Sequence, residues 1–236
     1  MKASSRTLWA SVLFFFWSNA SAQEVVNYVK VVGAMKEVMW KGKLSGTIDL
    51  DTLSNKQHLF GLGPVEYLAG EILIIDGKAY RSTVLTDSTM KVEETYAIKA
   101  PFFAYANIMN LTQVILPDSI QSAQQLEQFL ERTTKKQNRP VLFRFTGEIE
   151  QATIHVVNLP KGSTVTSPDE AHQGQRNFVL THQLVEIVGF FSTAHKGIFT
   201  HHDTYLHMHL ITSDRQKMGH LDEVRFKKGT IMISHP

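Results

Sequence analysis

The chain has 236 residues, and 24 Lys and Arg stand against 22 Asp and Glu, so the net charge is only +2. Apolar residues make up 43 %, enough for a sizeable core and too many for a disordered chain. No stretch clusters Lys and Arg as a phosphate-binding footprint requires, which argues against a nucleic-acid partner, and the absence of cysteine excludes disulfides, iron–sulfur clusters and thiolate zinc sites.

The N-terminus reads as a targeting segment. Lys2 and Arg6 supply the positive region, an apolar run follows from Leu8 to Trp17, and Ala20-Ser21-Ala22 is a small-residue cleavage site. The run is too short to span a bilayer, which takes about 20 residues. The expectation is a signal peptide over residues 1–22, a mature start at Gln23, and an exported protein, periplasmic or secreted, with no membrane attachment after cleavage.

Along the mature chain, Val32, Met35, Val38 and Met39 share a helical face, predicting a short helix that ends near Gly42. Residues 46–50 read as a short strand or turn. Residues 51–54 fit a helix cap, and Leu59-Phe60-Gly61-Leu62-Gly63-Pro64 a glycine-broken loop or bulged strand. A hairpin follows, with residues 71–75 and 78–82 as strands and Asp76-Gly77 as the two-residue turn. Residues 92–97 and 102–108 read as further strands. From Asp118 to Thr134, apolar residues recur at three and four, predicting an amphipathic helix capped by Asp118 or Ser119. A polar connector, residues 135–140, closes it, and a subdomain boundary is expected there. Residues 141–145, 152–157, 178–180, 184–191, 205–211 and 221–226 read as strands, with a polar loop at 161–174. The expected fold is α+β, with two β-rich subdomains and few helices. The division is residues 23–139 for an N-terminal α/β part and 140–236 for a C-terminal β-rich part that holds the metal.

Ten of the 11 histidines lie from His155 onward. The sharpest local pattern is His207-Met208-His209. Residues two apart on a strand share a face, about 6.6 Å apart along the chain, and two imidazoles so placed can converge on one ion. If the following turn centres between Asp214 and Arg215, His220 comes to sit opposite His209 on the return strand, where Cβ atoms lie about 4.5–5.5 Å apart. The same spacing also suits ordinary histidines facing solvent on an edge strand. His201-His202-Asp203 reads as an exposed loop. His58, His172, His182 and His235 have no evident partner.

The segment from Leu206 to His220, with its His-x-His strand, Asp214-Arg215 turn and Gly219-His220, resembles the metal-binding segment of the α-acetolactate decarboxylases. A second likeness lies at Phe60-Gly61-Leu62-Gly63, Gly70-Glu71 and Asp76-Gly77-Lys78-Ala79-Tyr80, in the same order as in that family. Val188-Gly189-Phe190 corresponds as well, so the resemblance runs from about residue 31 to 226. It implies mixed sheets in both parts and a homodimer. It also implies a Zn2+ ion held by His207, His209 and His220, which would turn 2-acetolactate, or a related 2-hydroxy-3-oxo acid, into acetoin and carbon dioxide. Glu71 would be the active-site glutamate that handles protons. His155 stands where the family carries an arginine; it lacks that residue's permanent carboxylate clamp but can serve as proton donor, and the residue itself suits an ordinary hydrogen-bonded strand histidine equally well. The family draws a further carboxylate from a C-terminal segment. Here Pro236 lies 16 residues past His220, and Asp222 and Glu223 follow that histidine too closely to stand in. Two alternatives stay open: a catalytically altered or inactive member that binds a metal or a small acid, and an iron or manganese site of oxygenase type.

Overall fold

The computed structural model describes residues 28–134, 140–200 and 204–234. The targeting segment, the connector at 135–139, the His201-His202-Asp203 cluster and His235 lie outside the described residues. Two β-sheets dominate and helices are few, as expected from the sequence. Among the described residues no helix is long and apolar enough to cross a membrane.

The first sheet has six strands: β1 (Lys30–Val32), β3 (Leu59–Pro64), β4 (Glu71–Ile75), β5 (Lys78–Val84), β6 (Met90–Glu94) and β8 (Phe103–Asn107). Their spatial order is β1-β8-β3-β4-β5-β6. A small pair, β2 (Ile48–Asp49) with β7 (Lys99–Ala100), lies beside it. β4 and β5 are joined through Asp76-Gly77 as the sequence predicts. Helix α1 is Met35–Lys41; Val32, expected on its face, belongs instead to β1. Residues 50–52 form one 3-10 turn, capped by Asp49. The Leu59–Pro64 segment is a regular buried strand, not a broken one. Its glycines are there for space, because the Phe103 ring lies directly over Gly61 and Gly63.

The second sheet is built from β9 (Leu111–Ile115), β10 (Val141–Val156), β11 (Arg176–Phe191), β12 (Leu206–Thr212) and β13 (Met218–Ser234). β10 pairs with both β11 and β13, and β12 joins β11 to β13, so four strands close into a circuit. Stepping across from His220 through His209, Val188 and Arg144 returns to β13 at Met232, not at His220, so the circuit is strongly sheared, as barrel closure requires. Every ladder in both sheets is antiparallel, where mixed sheets were expected. Strand direction follows from pairing between distant segments, which local pattern does not fix. The paired segments expected at 141–145 and 152–157 are one sixteen-residue strand, its polar middle absorbed by register shifts against β13. Helix α2 (Ala123–Thr134) begins later than expected. Ser122, not Asp118 or Ser119, takes the capping position, its Oγ accepting from Gln125 N while Gln125 Oε1 accepts from Ser122 N. Helix α3 (Pro168–Ala171) interrupts the loop expected at 161–174.

The apolar residues sort into layers. Leu206, Met208 and Leu210 of β12 point into the core enclosed by the second sheet, together with Phe143, Phe145 and α2's Leu126 and Leu130. On the other face of β12, Ile211 joins Leu73, Ile75 and Tyr80 of the first sheet, with Val188 and Phe190 of β11. Residues at alternate positions with Ile211, namely His207 and His209, therefore face the layer between the two sheets. The same alternation on β4 sends Glu71 there with Leu73 and Ile75, while Ile72 and Ile74 enter the core on the opposite face.

Candidate metal centre

The β12–β13 hairpin brings the three histidines together. His209 and His220 are direct register partners across it. The ring centroids are 5.2 Å apart for His207 and His209, 5.0 Å for His207 and His220, and 5.4 Å for His209 and His220. One nitrogen from each ring lies within 4.8 Å of the others, and all three residues are buried. Zinc–nitrogen bonds of about 2.0–2.1 Å put tetrahedral ligand nitrogens about 3.4 Å apart, so small side-chain rotations suffice to grip an ion. Three neutral imidazoles are a donor set that suits zinc and other first-row divalent metals, and they leave coordination positions open. The residues present thus fit a divalent ion.

Glu71, only 3 % exposed, arrives from the other sheet. Its Oε2 lies 3.7 Å from His209 Nε2, and its Oε1 accepts a hydrogen bond from Val157 N at 3.3 Å. Burial pushes the Glu71 carboxyl well above the usual carboxylate range; the Val157 N–H opposes this, and the negative charge of Asp222 adds to it. The strand start is held by a backbone that only glycine tolerates. Gly70 has φ +149°, and a Cβ there would strike the Ser82 carbonyl. On the other side, the Phe102 ring lies 6.2 Å from His207.

His155 joins the group from β10. It pairs in register with His220, and the two rings lie 4.6 Å apart at 30°. Its Nδ1 is 2.7 Å from Asp222 Oδ1. Asp222 is the residue that sequence reasoning passed over as too close to His220. It shares a face with His220, two residues before it, and it is the extra residue of a bulge in β13, since Thr153 pairs with Glu223 and Ile154 with Leu221. The spacing His220-x-Asp222 was the available signal. His155 and Asp222 open onto a cleft of about 420 Å3, shared with His172, Gln175 and Asn177. The other sequence-flagged histidines stay apart from the triad: His58 pairs with Asp76, His172 Nδ1 with the Pro168 carbonyl, and His182 lies at an irregular point of β11 with φ 51°.

The model of the alpha-acetolactate decarboxylase family matches residues 32–235. The chain belongs to that family. Among its members, the alpha-acetolactate decarboxylase of Lactococcus lactis subsp. lactis is 27 % identical over 194 residues, covering 81 % of this chain and 78 % of the relative. That of Brevibacillus brevis is 25 % identical over 196 residues, covering 82 % of this chain and 65 % of the relative. The crystal structure of acetolactate decarboxylase from Bacillus subtilis subspecies spizizenii shares the fold, with a TM-score of 0.75 at 22 % identity over 89 % of this chain and 86 % of that one. The triad and Glu71 all lie within the matched residues.

Proposed function

We propose that the protein decarboxylates 2-acetolactate, or a closely related 2-hydroxy-3-oxo acid, to acetoin and carbon dioxide at a Zn2+ ion held by His207, His209 and His220. The observation that carries this reading is the buried triad with Glu71 Oε2 3.7 Å from His209, in a chain of this family. The reaction breaks the bond to the carboxylate carbon, moves its electron pair toward the neighbouring carbonyl oxygen, and adds one proton to the carbon left behind. When bound, a dipositive ion supplies Lewis acidity for the charge that gathers on the substrate oxygens. The chain supplies the rest. Glu71, dry and inclined to keep its proton, holds that proton at the edge of the triad and is placed to deliver it to the product carbon. His155, held by Asp222 and packed 4.6 Å from the His220 ring, orients the substrate from β10. Phe102 and the inter-sheet apolar layer keep bulk water from the reacting carbon.

The test is acetoin and carbon dioxide formation from racemic acetolactate by zinc-loaded protein beginning at Gln23. Equal amounts of the two products are expected, with turnover lost in His209→Ala. Stoichiometric zinc with no turnover of any such acid would overturn the decarboxylase reading and favour a member that binds small acids without converting them.

A further inference from the structure

We infer that Asp222 is a positioning residue for the metal centre, acting through His155 on His220. This rests on the metal-centre reading above. Residues two apart on a strand share a face, so Asp222, which is also the extra residue of the β13 bulge, lies on the same side as His220 and its register partner His155. Asp222 Oδ1 sits 2.7 Å from His155 Nδ1. A carboxylate only accepts, so Nδ1 donates the hydrogen and the ring plane is set by that bond. The ring so fixed lies 4.6 Å from His220 at 30°, and the backbone on this side is equally close, since Gly219 leaves no room for a Cβ beside the His155 carbonyl. His220 is thus confined by a ring whose own orientation is tied to Asp222. His220 is in register with His209 on one side and His155 on the other, and the Asp222–His155 pair fixes the ring that packs on its β10 side. A partner fixed in this way acts like the outer-shell groups that orient ligating histidines, whose loss costs about 10–100-fold in metal affinity. Because the link here is ring packing and not a direct hydrogen bond to the ligand, the lower end of that range applies.

The experiment uses Co2+ as the probe, with affinity measured by chelator competition and geometry read from the visible absorption of the bound ion. Asp222→Ala is expected to weaken Co2+ binding about tenfold and to change the absorption bands. Asp222→Asn, whose amide oxygen accepts the same Nδ1 hydrogen, is expected to restore both to near wild type. Unchanged melting of the metal-free Asp222→Ala protein, measured alongside, places the effect at the site. Wild-type affinity and spectrum in Asp222→Ala would overturn the inference while leaving the metal centre intact. Failure of the wild-type protein itself to bind Co2+ would overturn the metal-centre reading, and this inference with it.

Discussion

Gly219→Ala is the substitution that most directly connects the packing of β13 to the metal centre. Gly219 lies one residue before His220, against the carbonyl of His155 on β10. A Cβ at this position would stand well inside 3.0 Å from that carbonyl oxygen and 3.1 Å from its carbon, whereas ordinary contact begins at 3.4 Å. The obstacle is backbone inside a paired ladder, so no side chain can rotate away, and β13 must withdraw from β10 by about an ångström. Overpacking of this kind costs about 1–3 kcal/mol, and a rigid obstacle puts the cost near 3 kcal/mol. For a chain of this size each kcal/mol lowers Tm by roughly 2–4 °C, so thermal unfolding is expected about 6–12 °C earlier. The same displacement carries His220, and metal–ligand distances tolerate only about 0.2 Å, so Co2+ affinity is expected to fall at least about tenfold at a temperature where the variant is fully folded. Both numbers are read from the purified variant by calorimetry and chelator competition. A Gly219→Ala protein that melts with the wild type and binds Co2+ equally well would refute the strand register that places His155 against His220.

Two further variants test the electrostatics. Glu186 is buried and pairs with Arg144 of β10 and with Arg215 of the β12–β13 turn. Burial pushes its carboxyl up, but the hydrogen bond from Arg215 and the charges of both arginines outweigh this and hold it below the usual range. A depressed carboxylate stabilises the fold above the unfolded value, near 4.3, and loses that contribution as pH falls through the folded value. Glu186→Gln is therefore expected to cost about 2 kcal/mol near neutrality, less than a fully buried pair because both arginines are partly exposed. The gap should close in denaturant titrations below about pH 4, and a gap independent of pH would refute the assignment. Glu71 has the opposite sign. Its raised pKa means that the folded state prefers the neutral form, so the metal-free wild type loses stability as pH rises from the unfolded value toward the folded one. Metal-free Glu71→Gln should melt above wild type at pH 8, with the difference shrinking toward pH 5, while losing turnover on acetolactate. A Glu71→Gln protein less stable than wild type at pH 8 would show that the carboxylate is ionised in the fold.

The triad was legible in the sequence because it needs only two local facts, the two-residue period of a strand and the turn at Asp214-Arg215. Both hold: His207 and His209 face the same layer, and His209 is paired with His220. Helix α2 was legible for a similar reason, since its apolar stripe repeats over three turns, although its start moved to Ser122. What was not legible depends on segments far apart. Residues 146–151 of β10 are mostly polar and carry no strand pattern of their own, yet β11 on one side and, through register shifts, β13 on the other pair along them. β9 was missed altogether: Leu111–Ile115 is a short edge strand with only a half-buried face, and it is defined by pairing with residues 230–234 at the other end of the chain. The bulge at Asp222 belongs to the same class. A single unpaired residue follows from the register of the opposing strand, whereas the contact of Asp222 with His155, 67 residues away in the chain, depends on β10 lying beside β13.

The site exists only where the two sheets meet, and this explains why the resemblance to the family rests on two segments so far apart in sequence. Glu71 comes from the first sheet and the triad from the second, so their 3.7 Å approach is set by whatever fixes one sheet against the other. The apolar layer of Leu73, Ile75, Tyr80, Val188, Ile211 and Met218 provides the attraction but little direction, since hydrophobic contact is non-directional. Direction comes from the polar clamp beside it. Arg215, from the turn that joins β12 to β13, lies over the Tyr80 ring of β5, 5.5 Å from its centroid, and binds Glu186 of β11, which also holds Arg144 of β10. The hairpin motif ending in Tyr80 and the Asp214-Arg215 turn are therefore two halves of one contact. A slip of the β4–β5 hairpin along the second sheet would break that contact and carry Glu71 away from His209 in the same movement.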